Sequence, residues 1–546
     1  MSWVGTQGFL RRLLANDART ATARERTAVA RAMAPTPLDP GLARLSAPEG
    51  TTVEGTVDVG EFLEHPDLRL VAPLRTLPVH TLAVGGTGTG KTFLMLRLLL
   101  ARVRAFAMDE ASDRQFVVDP KDELDGLLED GIAALLPTLP DAAAERLLSN
   151  LVRIDPFSSD ALVPFNILRP EPGTDPDAAA WAFAVLLGRV AGAHLGINQD
   201  GFVHAVHLLG QDLAAGAHGC TLIDLARLID NPADLRSAGV ASANPSVRSY
   251  FAAPRLPTAS LHGVRARLQR LLRLRGARRM FGARDCISFG SLLRDRVSIL
   301  SAGSAPLGSR DIADFWLGLF MDRIVAAIFA RTGAEVPVTL TLDEWQLIAT
   351  AAGWVAEDFE RVLAVCRSRR AHLALACQSL DSIRRVSAAL PGVALTNVDV
   401  RLLFRSDIDD ARAVSHLLPV SGRRHREPPR PWEEVARDPF LSPAEERNAL
   451  VDRLTRLRTR EFLFADRTGG GPGAFVRTAE LSVRRPRNIQ PATALRLARC
   501  ALALPPGEEH QGPAPDVRAA RQAGLFRQAV DQPAPALPQR RRRLGG

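Results

Sequence analysis

One stretch constrains what this chain can fold into, the eight residues GGTGTGKT at positions 85–92. They fit the pattern G-x-x-x-x-G-K-[ST], in which backbone N–H groups of a glycine-rich turn surround the phosphates of a nucleotide. A strand-like apolar segment, Thr81–Val84, precedes the pattern, and an apolar segment long enough for a helix, Phe93–Val103, follows it. A glycine-rich turn without a ligand is the alternative, but phosphate binding requires this order of strand, loop and helix.

The pattern assigns its residues to nucleotide binding. The predicted phosphate-binding residues are Gly85, Gly86, Thr87, Gly88, Thr89, Gly90, Lys91 and Thr92. Lys91 would reach the β- and γ-phosphates, and the Thr92 hydroxyl would ligate Mg²⁺. The predicted cofactors are therefore ATP and Mg²⁺.

Lysine usage indicates a second position of interest. Of the 69 lysine and arginine residues in the chain, only Lys91 and Lys121 are lysine. A compact ammonium fits between phosphates where a planar guanidinium does not, so a lysine kept in an arginine-rich chain suggests a specific role. Lys121 lies in Asp119-Pro120-Lys121, directly after the strand-like segment Gln115–Val118. A surface turn is the alternative; we predict that Asp119 and Lys121 belong to the nucleotide site.

A second apolar strand carries the predicted catalytic carboxylates. The run Val336–Leu342 ends in Asp343 and Glu344, as a Walker B strand does. Asp343 would hold Mg²⁺, directly or through water, and Glu344 would polarise the attacking water as general base. A further strand ends at Gln378, whose amide would bond the γ-phosphate or the attacking water. A polar residue at a helix N-terminus is the alternative for Gln378.

Composition limits the class of protein. A chain of 546 residues is long enough for two or three domains, and 46% hydrophobic residues is ordinary for a globular protein. No apolar run reaches about 18 residues, which predicts no transmembrane helix, and the N-terminus lacks a signal peptide.

The five cysteines are scattered without C-x-x-C spacing, which predicts a reducing compartment with neither disulfides nor a zinc site. The net charge of +9 permits a nucleic-acid partner, although codon bias also produces arginine-rich chains.

Hydrophobic patterning predicts four kinds of segment. Residues 1–40 read as a basic helical arm, and residues 501–546 as a disordered basic tail. Strands alternate with helices over residues 41–170 and 281–500, which predicts an α/β core with a mostly parallel sheet and ligands at the carboxyl ends of its strands. Residues 171–280 read as an all-α inserted domain. Its last helix is rich in arginine, either as a solvated basic face or as a phosphate-facing surface.

The order of these motifs resembles a known family. The set is His80 with the P-loop, Asp119-Pro120-Lys121, a helical insertion, Leu342-Asp343-Glu344, Arg367, Ala376-Cys377-Gln378-Ser379-Leu380 and Arg405. It resembles the FtsK/HerA superfamily of ring-forming ATPases, and most closely the type IV coupling proteins of conjugative DNA transfer, the TraD/TraG group. The resemblance covers roughly residues 65–480. The D-P-K box and the A-x-Q-S-L segment are its most specific parts.

The resemblance implies an architecture and a function. It implies a RecA-like core, a homo-hexameric ring with nucleotide sites between subunits, and ATP-driven movement of DNA through the ring. An arginine of the neighbouring subunit would complete each site, with Arg367 the better match to the family's motif position and Arg405 the second. The all-α domain would help to recruit the DNA or its relaxase.

One departure from the family concerns the membrane. Coupling proteins usually carry N-terminal transmembrane helices, and none is predicted here. We therefore expect a cytoplasmic protein, or one held at the inner membrane by a secretion-channel partner. Three hypotheses remain: a DNA-translocating motor, a HerA-like ATPase that feeds DNA to a nuclease in a processing or phage-defence complex, and a nucleotide-switched assembly scaffold.

Overall fold

The computed structural model describes most of the chain in two compact units. The described residues are 40–51, 55–74, 79–110, 113–157, 162–169, 171, 174–189, 197–215, 220–253, 258–283, 286–302, 305, 309–353, 356–420, 441–467, 473–479, 481, 483–486, 489–490, 493–494 and 496–497. The first unit is Met1–Ala101 with Ala374–Ser482, and the second is Arg102–Leu373 with Val483–Gly546. The predicted basic arm, apart from Pro40, and the predicted tail lie outside the described residues.

The described secondary structure alternates between strands and helices in the two α/β parts of the sequence. The strands are β1 Ser46–Pro48, β2 Thr56–Phe62, β3 Leu68–Pro73, β4 Thr81–Val84, β5 Arg114–Asp119, β6 Leu151–Ile154, β7 Val297–Ser301, β8 Val338–Leu342, β9 Ala371–Cys377, β10 Val400–Phe404, β11 Glu461–Asp466 and β12 Ala474–Arg477. The first helices are α1 Pro40–Ala43, α2 Lys91–Ala107, α3 Glu123–Leu135 with a 3₁₀ turn at Leu136–Thr138, and α4 Asp141–Asn150. Those that follow β6 are α5 Pro176–Arg189, α6 Ile197–Ala215, α7 Leu222–Asp230, α8 Pro232–Ala241, α9 Pro245–Ala252, α10 Thr258–Leu272, α11 Arg275–Gly282 and α12 Phe289–Asp295. The remaining helices are α13 Arg310–Phe329, α14 Trp345–Ala352, α15 Ala356–Ser368, α16 Leu380–Arg384, α17 Leu390–Asn397, α18 Ile408–Ser415 and α19 Pro443–Thr455.

The first unit places the P-loop strand in the parallel part of a mixed sheet. Its strand order is β1-β3-β2-β12-β11-β10-β4-β9. β4 pairs in parallel with both β9 and β10, so its run of Leu82, Ala83 and Val84 is buried. The other neighbouring pairs in this unit are antiparallel. Strands with parallel neighbours are usually buried on both faces and so are uniformly apolar. β4 therefore lacks the alternation of polar and apolar residues that a half-exposed strand shows.

Helix α2 packs on this sheet and so fixes the end of the P-loop. Leu94 and Met95 from its first turns join one apolar cluster with residues of the strands. The aromatic members of that cluster include Phe404 of β10 and Phe462 of β11, whose ring centroids lie 5.1 Å apart. Burial of each such side chain contributes about 1.5–3 kcal/mol. The packing holds the N-terminus of α2 against the carboxyl end of β4.

The second unit contains four parallel strands in the order β8-β5-β7-β6. In the β5–β8 pair Val118 lies opposite Leu342, so the two strands end side by side. Asp119 and Asp343 therefore follow at the same edge of the sheet, as parallel strands with helical crossovers require. The α/β fold class is confirmed: the second unit contains a parallel sheet, and the first unit contains a mixed one.

Between β6 and β7 the described residues from Pro176 to Gly282 form helices α5–α11 and contain no strand. The sequence predicts helices over 177–190, 201–215, 222–230, 246–253 and 259–274, which correspond to five of the seven. Helices α8 and α11 are additional; α8 begins at the cap Asn231, whose side-chain oxygen accepts from Ala233 N and Asp234 N. The helical segment lies in the same compact unit as β5–β8. Among the described helices, none combines the length and apolarity needed to cross a membrane.

The arginine-rich surface of α10 and α11 is partly neutralised by acids of its own unit. Arg265 forms an ion pair with Asp230 at 2.6 Å, and Arg270 forms one with Asp311 at 3.1 Å. Arg279 is buried, with 5% of its surface exposed. Arg273, Arg275 and Arg278 are exposed, as is the ion-paired Arg265. Whether this surface is a solvated basic face or faces phosphates, its net positive charge is therefore smaller than the sequence suggests.

A buried histidine lies between the helical segment and α13. His207 of α6 has no exposed surface; its ring packs on Phe183, and its Nδ1 lies 3.1 Å from Gln211 Nε2. Burial lowers the pKa of His207 well below its usual value, and the neighbouring charges of Arg323 and His204 lower it further. The imidazole is therefore neutral in the folded protein at pH values where the unfolded chain binds a proton.

We expect this histidine to make folding sensitive to acid. As the pH falls below about 6.5, the unfolded chain protonates His207 and the folded chain does not, so the unfolding free energy falls by about 1.4 kcal/mol per pH unit. Urea unfolding of the wild type and His207→Leu at pH 7.0 and 5.5 measures this term. The difference between the two pH values should be smaller in His207→Leu, whereas a control change in the partly exposed His65 should leave it as in the wild type. Equal differences in all three proteins would contradict the assignment.

Candidate nucleotide-binding site

The glycines of the P-loop in the first unit allow a backbone path that residues with side chains could not adopt. Gly90 has φ +104°, and a Cβ added there would lie 3.1 Å from the backbone of Arg460. A Cβ added to Gly85 would lie 2.5 Å from Cβ of Phe404. An L-residue with a side chain would be strained at the first position and would overlap its neighbour at the second. The glycines thus let the loop curve closely against the ends of its neighbouring strands.

Backbone hydrogen bonds from three other segments hold the loop. Gly85 N donates to the carbonyl of Cys377 at 3.3 Å, and Gly86 N donates to the carbonyl of Arg405 at 3.0 Å. On the far side, Arg460 N donates to the carbonyl of Thr89 at 2.7 Å. These contacts come from the ends of β9 and β10 and from the residue before β11. The loop is therefore shaped by the whole parallel part of the first unit, not only by its own sequence.

Lys91 has its ammonium inside the curve of the loop. The residue is 8% exposed, and Nζ donates to the carbonyl oxygens of Gly85 and Gly86. These are weakly charged acceptors, which phosphate oxygens would replace with a gain in charge-assisted bonding. Lys91 begins α2, whose first turn contains no acidic residue. The partial positive charge of the helix N-terminus is thus available to an anion.

Gln378 lies beside the start of the loop. It directly follows Cys377, which is the register partner of Val84 and accepts the hydrogen bond from Gly85 N. The helix-capping role falls on the next residue instead, since Ser379 Oγ accepts from Ser382 N at 3.1 Å at the start of α16. Gln378 therefore lies at the carboxyl end of β9, as the sequence predicts.

The two candidate arginine fingers differ in position. Arg405 follows β10, is exposed, and has its carbonyl bonded to the P-loop of the same chain. Arg367 is exposed near the end of α15 in the second unit. An arginine that reaches a neighbouring subunit must be exposed, and both residues meet that condition.

In the second unit, Asp119 organises the turn that carries Lys121. Its carboxylate is 1% exposed and accepts from the backbone N–H groups of Lys121 (3.0 Å), Leu124 (2.7 Å) and Asp125 (2.8 Å). Burial raises the pKa of Asp119, and these backbone bonds oppose that rise. Asp119 thus satisfies the N–H groups at the start of α3. Its oxygens point to the backbone, so its observed role is structural.

The predicted Walker B carboxylates follow β8 at the same sheet edge. Asp343 N donates to the carbonyl of Val118 at 3.1 Å, which continues the β5–β8 pairing. Glu344, the residue before α14, has a left-handed backbone, φ +47°, a conformation that costs a non-glycine residue of order 1–3 kcal/mol. Lys121 Nζ donates to Glu344 Oε1 at 2.9 Å, and Gln346 Nε2 donates to Glu344 Oε2. The structure therefore brings Lys121, Asp343 and Glu344 together in this unit.

Sequence reasoning did not find two residues at these positions. Gln346 belongs to no motif, and only its hydrogen bond to Glu344 reveals it. Arg460 combines φ +69° with a backbone bond to Thr89, and neither is visible in the sequence. A non-glycine residue with positive φ beside a ligand loop is a known indication of a functional position.

The chain offers oxygen ligands for Mg²⁺. The Thr92 hydroxyl of the first unit and the Asp343 carboxylate of the second are the donor types that Mg²⁺ prefers. Thr92 is half-buried at the start of α2, and Asp343 is 6% exposed. Within the described ranges there is no cluster of three or more His, Cys, Asp or Glu residues suited to a metal ion. A magnesium ion bound by either of these oxygens would therefore depend on nucleotide phosphates and water for other ligands.

Comparison with known proteins identifies the fold. The sequence matches no protein-family model and no curated protein. The plasmid coupling protein TrwB in complex with the non-hydrolysable ATP analogue ADPNP is similar in structure, at 16% identity over 82% of this chain and 94% of that chain, with a TM-score of 0.51. VirB4 of Thermoanaerobacter pseudethanolicus is similar in structure at 12% identity, over 79% of this chain and 98% of that chain, with a TM-score of 0.50. TrwB in complex with ADP and Mg²⁺ aligns at 16% identity, over 83% of this chain and 95% of that chain, with a TM-score of 0.49. The chain thus shares the fold of TrwB and VirB4.

Proposed function

We propose that this protein hydrolyses ATP and uses the energy to move DNA. The observation that carries the proposal is the buried Lys91 ammonium inside a P-loop held by three neighbouring segments. A cation enclosed by carbonyl oxygens in a glycine-rich turn favours the phosphates of a nucleotide. The ATP analogue bound to TrwB, a protein of the same fold, makes ATP the nucleotide of choice.

Hydrolysis would follow from the roles that the motifs give to each side chain. Lys91 and the N–H groups of Gly85–Thr92 bind the phosphates. Thr92 and Asp343 would each offer an oxygen to Mg²⁺, which would supply neutralisation of the charge that develops on the phosphates. Glu344 accepts a proton from the attacking water, and Gln378 orients that water or the γ-phosphate. An exposed arginine, Arg367 or Arg405, completes the site of a neighbouring subunit in a homo-hexamer.

DNA is the proposed substrate of the motion because TrwB is a plasmid coupling protein. The net charge of +9 and the exposed Arg273, Arg275 and Arg278 support a partner with a phosphate backbone. A relaxase, a nuclease or a secretion-channel protein would then deliver or receive that DNA.

Steady-state ATP hydrolysis with and without DNA tests this function. We expect single- or double-stranded DNA to stimulate hydrolysis several-fold, and the stimulation to decline as salt rises from about 50 to 200 mM, because phosphate contacts release counterions. Polyglutamate of equal charge is the control for a nonspecific polyanion effect and should not stimulate. Hydrolysis indifferent to DNA in a protein that still forms hexamers would replace the motor with an assembly scaffold.

A further inference from the structure

Arg460, the residue before β11, lies directly against the P-loop. A Cβ added to Gly90 would lie 3.1 Å from N and Cα of Arg460 and 3.2 Å from its Cγ. Arg460 N donates to the carbonyl of Thr89 at 2.7 Å, and the carbonyl of Arg460 accepts from Thr478 N at 3.0 Å. The backbone of Arg460 is thus bonded to the loop on one side and to the residue after β12 on the other. The first part of its side chain runs beside Gly90.

The backbone conformation at this position is unfavourable for arginine. Arg460 has φ +69°, in the left-handed region that glycine adopts readily and that aspartate and asparagine tolerate best among the other residues. Of the described residues with positive φ, eight are glycine and two are aspartate, which leaves Glu344, Arg370 and Arg460. Glycine would make the same backbone bonds with less strain. The presence of arginine therefore indicates that its side chain is used.

The P-loop gives this side chain a chemical partner. A guanidinium is charged at every physiological pH, and its planar fork of N–H groups can bond two phosphate oxygens at once. Half of the Arg460 surface or less is exposed, so its stem is held against the loop instead of extending into water. No acidic residue lies in the first turn of α2, where the loop ends. An anion in the loop would therefore meet a cation from this segment as well.

We propose that Arg460 binds the phosphate chain of the nucleotide, as a second cation beside Lys91. This inference rests on the proposed function, in which the P-loop binds ATP. Lys91 holds its ammonium inside the curve of the loop, whereas Arg460 approaches from the segment that packs on Gly90. A compact ammonium suits the enclosed position, and a longer planar fork suits the approach from a neighbouring segment.

The competing role for Arg460 is purely structural, through its backbone bonds to the loop. In that case Arg460→Gly, which keeps those bonds and relieves the strain, would bind ATP as the wild type does. A phosphate ligand gives the opposite result, since glycine and alanine both remove the guanidinium. Arg460→Gly should also have a higher Tm than Arg460→Ala, because alanine retains the strained conformation.

Calorimetric titration with ATP and with inorganic tripolyphosphate tests the inference. We expect Arg460→Gly and Arg460→Ala each to bind ATP about 10–100-fold more weakly than the wild type, the effect of one charge-assisted contact. Tripolyphosphate has no base or ribose, so its affinity should fall by the same factor. Arg460→Lys keeps the charge without the fork and should lose less.

Arg370→Gly is the matched control. Arg370 is an exposed arginine with φ +53° that precedes β9, whereas the carbonyl that bonds Gly85 N belongs to Cys377 at the other end of that strand. The variant should bind both ligands as the wild type does. Wild-type affinity for both ligands in Arg460→Gly would overturn the inference. A loss for ATP alone would also overturn it, because the contact would then be to the base or the ribose.

The same titrations separate this inference from the proposed function. If Lys91→Ala lost ATP binding while Arg460→Ala retained it, the inference would fail and the function would stand. If the wild type bound ATP without hydrolysing it, the motor would fail, and the affinities of the Arg460 variants would still decide the contact. A wild type that bound neither ligand would overturn both.

Discussion

Lys91→Ala is expected to abolish ATP hydrolysis, with kcat lower by roughly 10²–10³, the range for loss of one preorganised electrostatic contact. The ammonium is buried and already faces inward to the carbonyl oxygens of Gly85 and Gly86. Alanine at this position would leave the phosphates without their cation in a site shielded from water. Initial rates at saturating ATP measure the effect, and fluorescent nucleotide titration measures the accompanying loss of affinity.

Two further variants show whether the effect belongs to this ammonium. Arg104→Ala removes an exposed basic residue from the last turn of the same helix, α2, and should retain wild-type hydrolysis. Lys91→Arg keeps the charge but replaces a compact ammonium with a planar fork, and should remain inactive. Wild-type activity in Lys91→Arg would mean that charge alone suffices. Activity in Lys91→Ala would remove the P-loop from the mechanism.

Glu344→Gln is expected to separate binding from chemistry. Glutamine keeps the size of the side chain but cannot take a proton from water, so kcat should fall by about 10²–10⁴, the usual contribution of a general base. The proposed P-loop phosphate ligands belong to the first unit, so ATP affinity should remain close to that of the wild type. Single-turnover hydrolysis together with nucleotide titration distinguishes the two quantities.

The control for this variant is Glu123→Gln, which changes an exposed glutamate in the first turn of α3 in the same unit. It should hydrolyse ATP at the wild-type rate. Unimpaired hydrolysis in Glu344→Gln would assign the base elsewhere. A parallel loss of ATP affinity would indicate that Glu344 also supports the bound state.

Motif residues that directly follow an apolar strand were predictable from the sequence. The P-loop, the D-P-K box and the carboxylates after β8 were each found because an apolar run ends at a polar residue. The sequence also predicts a hairpin of Glu461–Phe464 and Ala474–Arg477, because a glycine-rich turn separates two apolar runs, and these segments correspond to β11 and β12. The local sequence pattern was sufficient for prediction wherever a single segment determined both its secondary structure and its motif residues.

Interactions between distant segments were not predictable. Asp119 reads as a ligand in sequence, yet its oxygens serve the N–H groups of α3. Gln346 and Arg460 carry no motif, and their positions depend on backbone conformations that tertiary packing imposes. Helix α8 was missed because its residues lack a clear apolar stripe and its Asn231 cap is a short-range signal. These features arise from pairings that a single linear pattern does not encode.

The backbone bonds to the P-loop have a consequence for the order in which the protein matures during synthesis. The ribosome completes Gly85–Thr92 early, but the carbonyl that receives Gly86 N belongs to Arg405, and the N–H that binds Thr89 belongs to Arg460. Strand β12, which pairs with β2 near the start of the chain, is made later still. A nascent chain that stops before residue 460 thus has every residue of the glycine-rich motif but lacks the Arg460 N–H that binds Thr89, and it lacks strands β11 and β12. ATP affinity should therefore appear late in translation, as a property of the nearly finished polypeptide.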